Sequence, residues 1–155
     1  MGAAVTGRFL AELVFPGVPN SVPAARHCVT CVLRAAGHRN MNAVQLVVSE
    51  LVANAVVHSV SGLAGGLIIV DVRAIGDDLA RIDVMDDGGL TVPHVCEPSE
   101  VDCSGRGLQI VKETALRWGV RDDALGGAAV WAEVLTTDGS PLGLSDAPVC
   151  VAHLR

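Results

Sequence analysis

The segment "SELVANAVVHS", residues 49–59, decides the fold prediction because it carries a polar stripe on an otherwise apolar helix. Glu50, Asn54 and His58 recur every fourth residue, and a four-residue step advances only about 40° around a helix. The three side chains therefore form one narrow ridge. The residues around them are mostly valine, leucine and alanine, and a helix that is apolar on all sides is normally buried. Because a buried carboxylate or amide needs a partner, the ridge predicts a contact with a ligand or another element.

The length, apolar content and net charge of the chain limit the class of protein to which it can belong. A length of 155 residues favours one domain with a single core. The ridge interrupts the longest apolar run before it reaches the roughly 18 residues of a membrane span, and the N-terminus lacks the cationic region of a signal peptide. The formal net charge is −6 and there is no basic cluster, which disfavours direct nucleic-acid binding. We therefore expect a cytoplasmic protein that binds neither membranes nor nucleic acid.

The order of predicted elements indicates an α+β fold. Alternating βαβ units are absent, so we expect a two-layer sandwich in which about three helices cover one face of a mixed, mainly antiparallel sheet. The predicted helices are 21–36, 41–57 and 107–117, and the predicted strands are 8–15, 67–75, 79–86, 118–123 and 128–135.

Turn residues mark the boundaries of the domain and of its first helix. Ser21 is the predicted N-cap of that helix, and Gly37 is predicted to end it. Residues 1–135 form the predicted domain. Residues 136–155 are rich in turn residues and are predicted to be a peripheral or flexible tail.

Two further polar features accompany the ridge: "DDGG" at 86–89, after a predicted strand, and "SGRGLQIV" at 104–111, where a glycine pair opens a helix. Glycines let the backbone approach a ligand closely, and a helix N-terminus binds phosphate. A carboxylate at a strand end can accept a hydrogen bond from the amino group of adenine. An amide oxygen suits Mg²⁺, and a carboxylate one turn away can orient or deprotonate an attacking hydroxyl. Together the three features predict a nucleotide–magnesium site.

A P-loop does not supply this site. Lys112 is the only lysine of the chain, and no glycine-rich loop ending in Lys-Ser or Lys-Thr is present.

At these residues the chain resembles the GHKL, or Bergerat-fold, ATP-binding family, specifically its small anti-sigma factor serine/threonine kinases. The ridge matches that family's N-box, and residues 86–88 match its D-x-G box. Residues 105–108 match its second glycine box, G-x-G-L. The resemblance covers roughly residues 8–135. The chain departs from the family pattern at Leu90, where the first glycine box usually carries a further glycine. The resemblance therefore does not predict the conformation of the turn at this position.

The resemblance implies ATP and Mg²⁺ as cofactors and assigns a role to each matching residue. Glu50 would act as the catalytic base or orient the nucleophile, Asn54 would bind the nucleotide and ligate Mg²⁺, and Asp86 would bind the adenine amino group. The glycine boxes would shape the pocket and the phosphate loop through Gly88, Gly105, Arg106, Gly107 and Leu108, with Arg106 facing the terminal phosphates. Residues 90–104 would form the ATP lid.

The resemblance also implies a function. Such proteins hold a sigma factor and phosphorylate a serine or threonine of an anti-anti-sigma (STAS-type) partner. A non-catalytic, ATP-dependent protein-binding module is the alternative, and homodimer formation is left open. A histidine-kinase catalytic module is disfavoured because 155 residues leave no room for a dimerisation and phospho-acceptor domain.

Five cysteines in a chain that reads as cytosolic argue against a disulfide framework. Cys28, Cys31, Cys96 and Cys103 could together hold zinc, although the second pair has an unusual spacing. Small buried side chains in a helix and free thiols in the lid are the favoured interpretation.

Overall fold

The computed structural model describes residues 7–58, 66–86, 107–122, 128–137 and 151–152. The helices are α1 (Ser21–Ala35), α2 (Asn42–His58) and α3 (Gly107–Thr114). The strands are β1 (Arg8–Pro16), β2 (Leu67–Ile75), β3 (Leu79–Met85), β4 (Arg117–Asp122), β5 (Ala128–Leu135) and β6 (Val151–Ala152). None of the helices in the described part of the chain has the length and apolar character needed to span a bilayer.

These strands form one sheet in the order β1-β2-β3-β5-β4-β6. The first four pairings are antiparallel, and β6 alone runs parallel to its neighbour β4. The prediction of a mixed, mainly antiparallel α+β sandwich is therefore confirmed. The tail beyond residue 135 contributes β6 to the edge of the sheet, whereas the proposed domain boundary stays a prediction.

The core lies between one face of the sheet and the helices. In β2 the alternate residues Ile68, Val70 and Val72 are completely buried, as expected when side chains of a strand point to opposite faces. They pack with buried side chains of all three helices in a single cluster. Because β2 and β3 pair over seven residues and β3 also pairs with β5, β3 lies in the interior of the sheet, where its end is held on both sides.

The first helix differs from the prediction at its start and agrees with it at its end. Ser21 is the first helical residue rather than the N-cap, and its hydroxyl donates to the carbonyl oxygen of Pro16 at 2.5 Å. At the other end Gly37 has a φ of 98°, a conformation that favours glycine. Its N–H donates to Arg34 O, and the N–H of His38 donates to Leu33 O, which is the hydrogen-bond pattern of a Schellman motif.

The third helix is shorter than predicted because the chain joins the sheet early. Helix α3 ends at Thr114, and the N–H of Leu116 donates to the carbonyl oxygen of Glu133 in β5 at 2.8 Å. The ladder between β4 and β5 then begins at Arg117. Helix α3 therefore ends about one turn before the apolar pattern of the sequence ends, because the following residues form hydrogen bonds to β5.

The face of the sheet away from the core carries ion pairs. Arg81 donates to both carboxylate oxygens of Asp83, at 3.0 and 3.1 Å, and Arg117 donates to Glu133 at 2.8 Å. The guanidinium of Arg81 also lies 4.3 Å from the centre of the Trp131 ring. The side chains of Asp83 and Glu133 are only 2% exposed. Since buried carboxylates are stable only when paired, these arginines are required on this face.

Candidate nucleotide-binding site

Helix α2 is buried along most of its circumference and opens along the predicted ridge. Six apolar side chains between Val44 and Ala55 are at least 95% buried, whereas Glu50 and Asn54 are half-buried. On the same side of the helix, Leu46 is 43% and Val57 is 65% exposed. The helix is therefore not buried all round, because the ridge lies at the surface of the core. His58 ends the helix, but its side chain lies outside the described part of the structure.

The residue before Glu50 is held by protein groups. The hydroxyl of Ser49 donates to the carbonyl oxygen of Gln45 at 2.7 Å and accepts from Nη1 of Arg26 at 3.2 Å. The first bond lies within α2, and the second connects α2 to α1 beside the ridge.

Glu50 meets the first residue of α3. A Cβ atom built on Gly107 would lie 2.8 Å from Oε2 of Glu50 and 3.8 Å from its Cβ. A contact below 3.0 Å is closer than real Cβ atoms approach a neighbour, so any side chain at position 107 would displace the carboxylate. Glycine at this position thus lets the second glycine box approach the ridge. The ridge and the second glycine box, which the sequence only assigned to one candidate site, are thus adjacent at Glu50 and Gly107.

The N-terminal end of α3 also has the electrostatic character of an anion site. Its first turn contains no acidic residue, and the side chains of Leu108 and Val111 anchor it in the core. The first N–H groups of a helix lack partners within the helix, and the helix dipole makes this end positive. Phosphate is accordingly favoured there. Leu108 contributes through this anchoring, since its side chain is buried.

Asp86 directly follows β3, where the pairing of that strand with both neighbours ends at Met85. Its side chain is half-buried. Helix α2 packs against β3, the strand that Asp86 follows. The predicted strand-end carboxylate is therefore present.

The remaining predicted site residues lie outside the described residues. They are Gly88, Gly105 and Arg106, together with the proposed lid at 90–104 and the departure at Leu90. Their roles stay predictions.

The donor set of the ridge fits magnesium. Asn54 offers an amide oxygen, and Glu50 offers a carboxylate one turn before it. Among the described residues no group of three or more His, Cys, Asp or Glu side chains could hold a metal ion by itself. Mg²⁺ commonly uses one or two protein oxygens and completes its shell with water and substrate phosphates. A Mg²⁺ ion held by this ridge would therefore take further ligands from water and substrate phosphates.

A family comparison identifies the fold. The model of the histidine kinase-like ATPase domain matches residues 15–132, which is most of the chain and includes every predicted site residue. The chain belongs to this family. Family membership implies that this ATPase domain binds ATP. The comparison with curated proteins found no match.

Sequence reasoning missed the charged layer on the other face of the sheet in this ATPase domain. Arg121 belongs to it: its side chain is exposed, and its guanidinium lies 3.3 Å from a carboxylate oxygen of buried Asp83. The signal was present as charged residues two apart in "RID", which share one face of a strand. Cys28 and Cys31 are free thiols, and the zinc alternative stays a prediction because Cys96 and Cys103 lie outside the described residues.

Proposed function

We propose that this ATPase domain is an anti-sigma regulatory factor that binds ATP with Mg²⁺ and phosphorylates a serine or threonine of an anti-anti-sigma (STAS-type) protein. Its other partner is a sigma factor. The proposal rests on family membership together with the resemblance of the ridge and the glycine boxes to the small anti-sigma kinases. The observation that carries it is the contact of Glu50 with Gly107, since it puts a carboxylate beside a helix N-terminus suited to phosphate.

In this proposal Glu50 orients and deprotonates the acceptor hydroxyl. The hydroxyl oxygen forms a bond to the γ-phosphorus of ATP, the bond to the bridging oxygen breaks, and ADP leaves. A general base must be within hydrogen-bond reach of the proton that it accepts. Glu50 is half-buried and lies next to the N-terminal end of α3, so an acceptor that approaches along α2 would be able to reach it.

Asn54 and Asp86 would position the nucleotide at its two ends. Asn54 would contribute its amide oxygen to Mg²⁺, which would supply positive charge at the phosphates. Asp86 would accept a hydrogen bond from the adenine amino group at the end of β3. Arg106 would face the terminal phosphates, as the resemblance implies. Little covalent chemistry is required of the protein in phosphoryl transfer, because positioning and charge stabilisation supply most of the rate.

Calorimetry first tests whether the chain binds ATP, and a phosphate-transfer assay then tests whether it is a kinase. ATP should bind the purified chain in Mg²⁺ and much more weakly in excess chelator. Proteins that co-purify from the native lysate are then incubated with the chain and ATP that carries a labelled γ-phosphate. Label on a serine or threonine of an isolated, directly binding partner supports the kinase. Absence of ATP binding would contradict the whole site assignment.

A non-catalytic, ATP-dependent binding module is the second candidate. The exposed side chains of Leu46 and Val57 favour it, because large apolar groups beside the ridge suit a protein contact. Nucleotide-dependent binding of a confirmed partner, without any transfer by the wild-type chain, would favour this module over the kinase.

A further inference from the structure

The outer surface of α1 carries a thiol–imidazole pair that the proposed site does not use. Sγ of Cys31 lies 3.7 Å from Nε2 of His27, within hydrogen-bond distance for sulfur. Both side chains are exposed. The spacing of four residues puts them on one face of the helix, one turn apart.

The neighbouring thiol, Cys28, differs from Cys31 in its exposure and in its position relative to His27. Cys28 is only partly exposed, and it follows His27 directly, so a rotation of about 100° separates the two side chains around the helix. Among these two thiols of α1, Cys31 alone combines solvent access with the imidazole contact. Cys28 therefore serves as an internal reference within the same helix.

The charges on α1 favour an anionic reagent. The helix contains no aspartate or glutamate, and Arg34 stands three residues after Cys31 on the adjacent turn with its side chain exposed. A thiolate at Cys31 consequently has no carboxylate of its own helix to repel it, and an acidic adduct has a guanidinium nearby.

We propose that Cys31 is a modification site that reacts with disulfides of acidic low-molecular-weight thiols, with His27 as the proton acceptor. Sγ attacks one sulfur of the disulfide while its proton passes to Nε2. A new S–S bond forms, the old S–S bond breaks, and the released thiolate recovers the proton from the imidazolium. The thiolate is the nucleophile in such exchange, and exposure controls access to it. The products are a mixed disulfide at Cys31 and one free thiol.

A metal ion is a weaker alternative at the same place. The described residues contain no cluster of three metal-ligating side chains, so this part of the chain offers a metal fewer ligands than the four of a closed structural zinc site. Thiol–disulfide exchange, by contrast, needs only the thiol of Cys31 and the imidazole of His27.

The test is the rate of glutathione disulfide addition to the full-length chain, followed for each cysteine peptide by mass spectrometry. Resolution by peptide is needed because Cys96, Cys103 and Cys150 are also present in the sequence. We expect Cys31 to react about tenfold faster than Cys28 at pH 7. His27→Gln should slow the reaction of Cys31 at least about threefold at pH 7, and the difference should vanish near pH 9.5, where exposed thiols ionise without help.

Two controls separate this chemistry from a structural effect. Cys28→Ser should leave the rate at Cys31 within about twofold, and circular dichroism should show unchanged helix content in His27→Gln. Equal rates at Cys28 and Cys31, or a rate at Cys31 that His27→Gln leaves unchanged at every pH, would overturn the proposal. Loss of the reaction in Cys28→Ser would also overturn it, by showing that a vicinal dithiol is required. ATP binding does not enter these measurements, so the result is independent of the proposed function.

Discussion

Glu50 is the residue on which the proposed chemistry depends. It is the only carboxylate of α2, it is half-buried, and it contacts the glycine that opens α3. A buried position for such a group would require a permanent protein partner. Its position at the surface of the core instead leaves it available to a ligand that binds between α2 and α3.

Glu50→Gln should separate binding from chemistry. The amide keeps the shape of the side chain but is no longer a base, so we expect ATP binding to persist and phosphoryl transfer to fall by roughly 10²–10⁴-fold. Calorimetry and transfer to a confirmed partner measure the two effects. Glu113→Gln is the matched control, since Glu113 is exposed on α3 and bonds to Gln109. Transfer that survives in Glu50→Gln would remove Glu50 from the mechanism.

Asp86→Ala should weaken nucleotide binding itself. Loss of a charge-assisted hydrogen bond to adenine typically costs roughly 1.5–3 kcal/mol of binding free energy. Asp77→Ala, in the exposed turn between β2 and β3, provides the control and should leave the ATP affinity unchanged. Equal affinities in wild type and Asp86→Ala would show that adenine is bound elsewhere.

At the scale of elements, the position of the Glu50 carboxylate between α2 and α3 depends on a missing side chain. The atom that a Cβ at Gly107 would meet first is the flexible end of Glu50, so the helices can keep their packing while the carboxylate moves. A side chain at position 107 should therefore affect phosphoryl transfer more than the stability of the fold.

Gly107→Ala should leave the protein folded, since alanine is a better helix former than glycine by about 1 kcal/mol in a helix interior and by less at an end. Displacement of the Glu50 carboxylate by about 1 Å should nevertheless reduce transfer, by up to roughly 10²-fold. Thermal unfolding and the transfer assay report the two quantities. A variant with a normal melting temperature and full transfer would argue against a fixed position for Glu50.

The connection between α1 and α2 contains a buried histidine. His38 is 3% exposed, and its Nδ1 lies 2.6 Å from Oγ1 of Thr136 at the end of β5. Burial lowers the pKa of His38, and Arg8 lowers it further, whereas Asp77 and Asp78 act in the opposite direction. The neutral imidazole thus belongs to the folded state.

We expect the free energy of unfolding to fall as the pH drops below about 6.5, the ordinary pKa of histidine. Below this pH the unfolded chain binds a proton at His38 that the folded chain does not bind. Urea unfolding between pH 7.5 and 5.5 should show a smaller change in the free energy of unfolding for His38→Gln than for wild type. The exposed His27 supplies the control, and His27→Gln should keep the wild-type slope. Equal slopes in all three proteins would exclude His38 as the source.

On the scale of the whole molecule, the sheet has two unlike faces. One face is apolar and carries the helices, whereas the other holds a row of carboxylates in register across three strands, Glu12 opposite Asp71 and Asp71 opposite Asp83. Arg81 and Arg121 pair with Asp83. Asp71 keeps a buried oxygen, Oδ1, without a hydrogen-bond partner.

Asp71 should therefore reduce stability at neutral pH. Burial raises its pKa, and the charges of Glu12 and Asp83 raise it further, while Arg73 and Arg121 act against them. The folded state then holds a proton that the unfolded state releases, so stability decreases as the pH rises from 3.8 through the raised pKa. Asp71→Asn removes the charge and should raise the free energy of unfolding at pH 7 by about 1 kcal/mol, with a smaller gain near pH 4.

Urea denaturation at both pH values measures this gain. Glu12→Gln is the comparison: Glu12 is exposed, so removing its charge should stabilise the protein less than Asp71→Asn does. A loss of stability in Asp71→Asn at pH 7 would show that the carboxylate has a favourable role in the folded state.

The sequence by itself determined the α+β class and, apart from β6, the strands and helices to within a few residues, and it predicted the three segments of the candidate site. These features are local: residue periods of two and 3.6, turn glycines and short motifs are properties of neighbouring residues. The end of α3 was mispredicted because the pairing of Leu116 with β5 overrode a continuing apolar pattern. Only the tertiary structure decided that Glu50 meets Gly107 and that Asp71 lies between two other carboxylates. Both contacts join residues far apart in the chain, and their distances follow from how helices pack and how strands register, which no local pattern specifies.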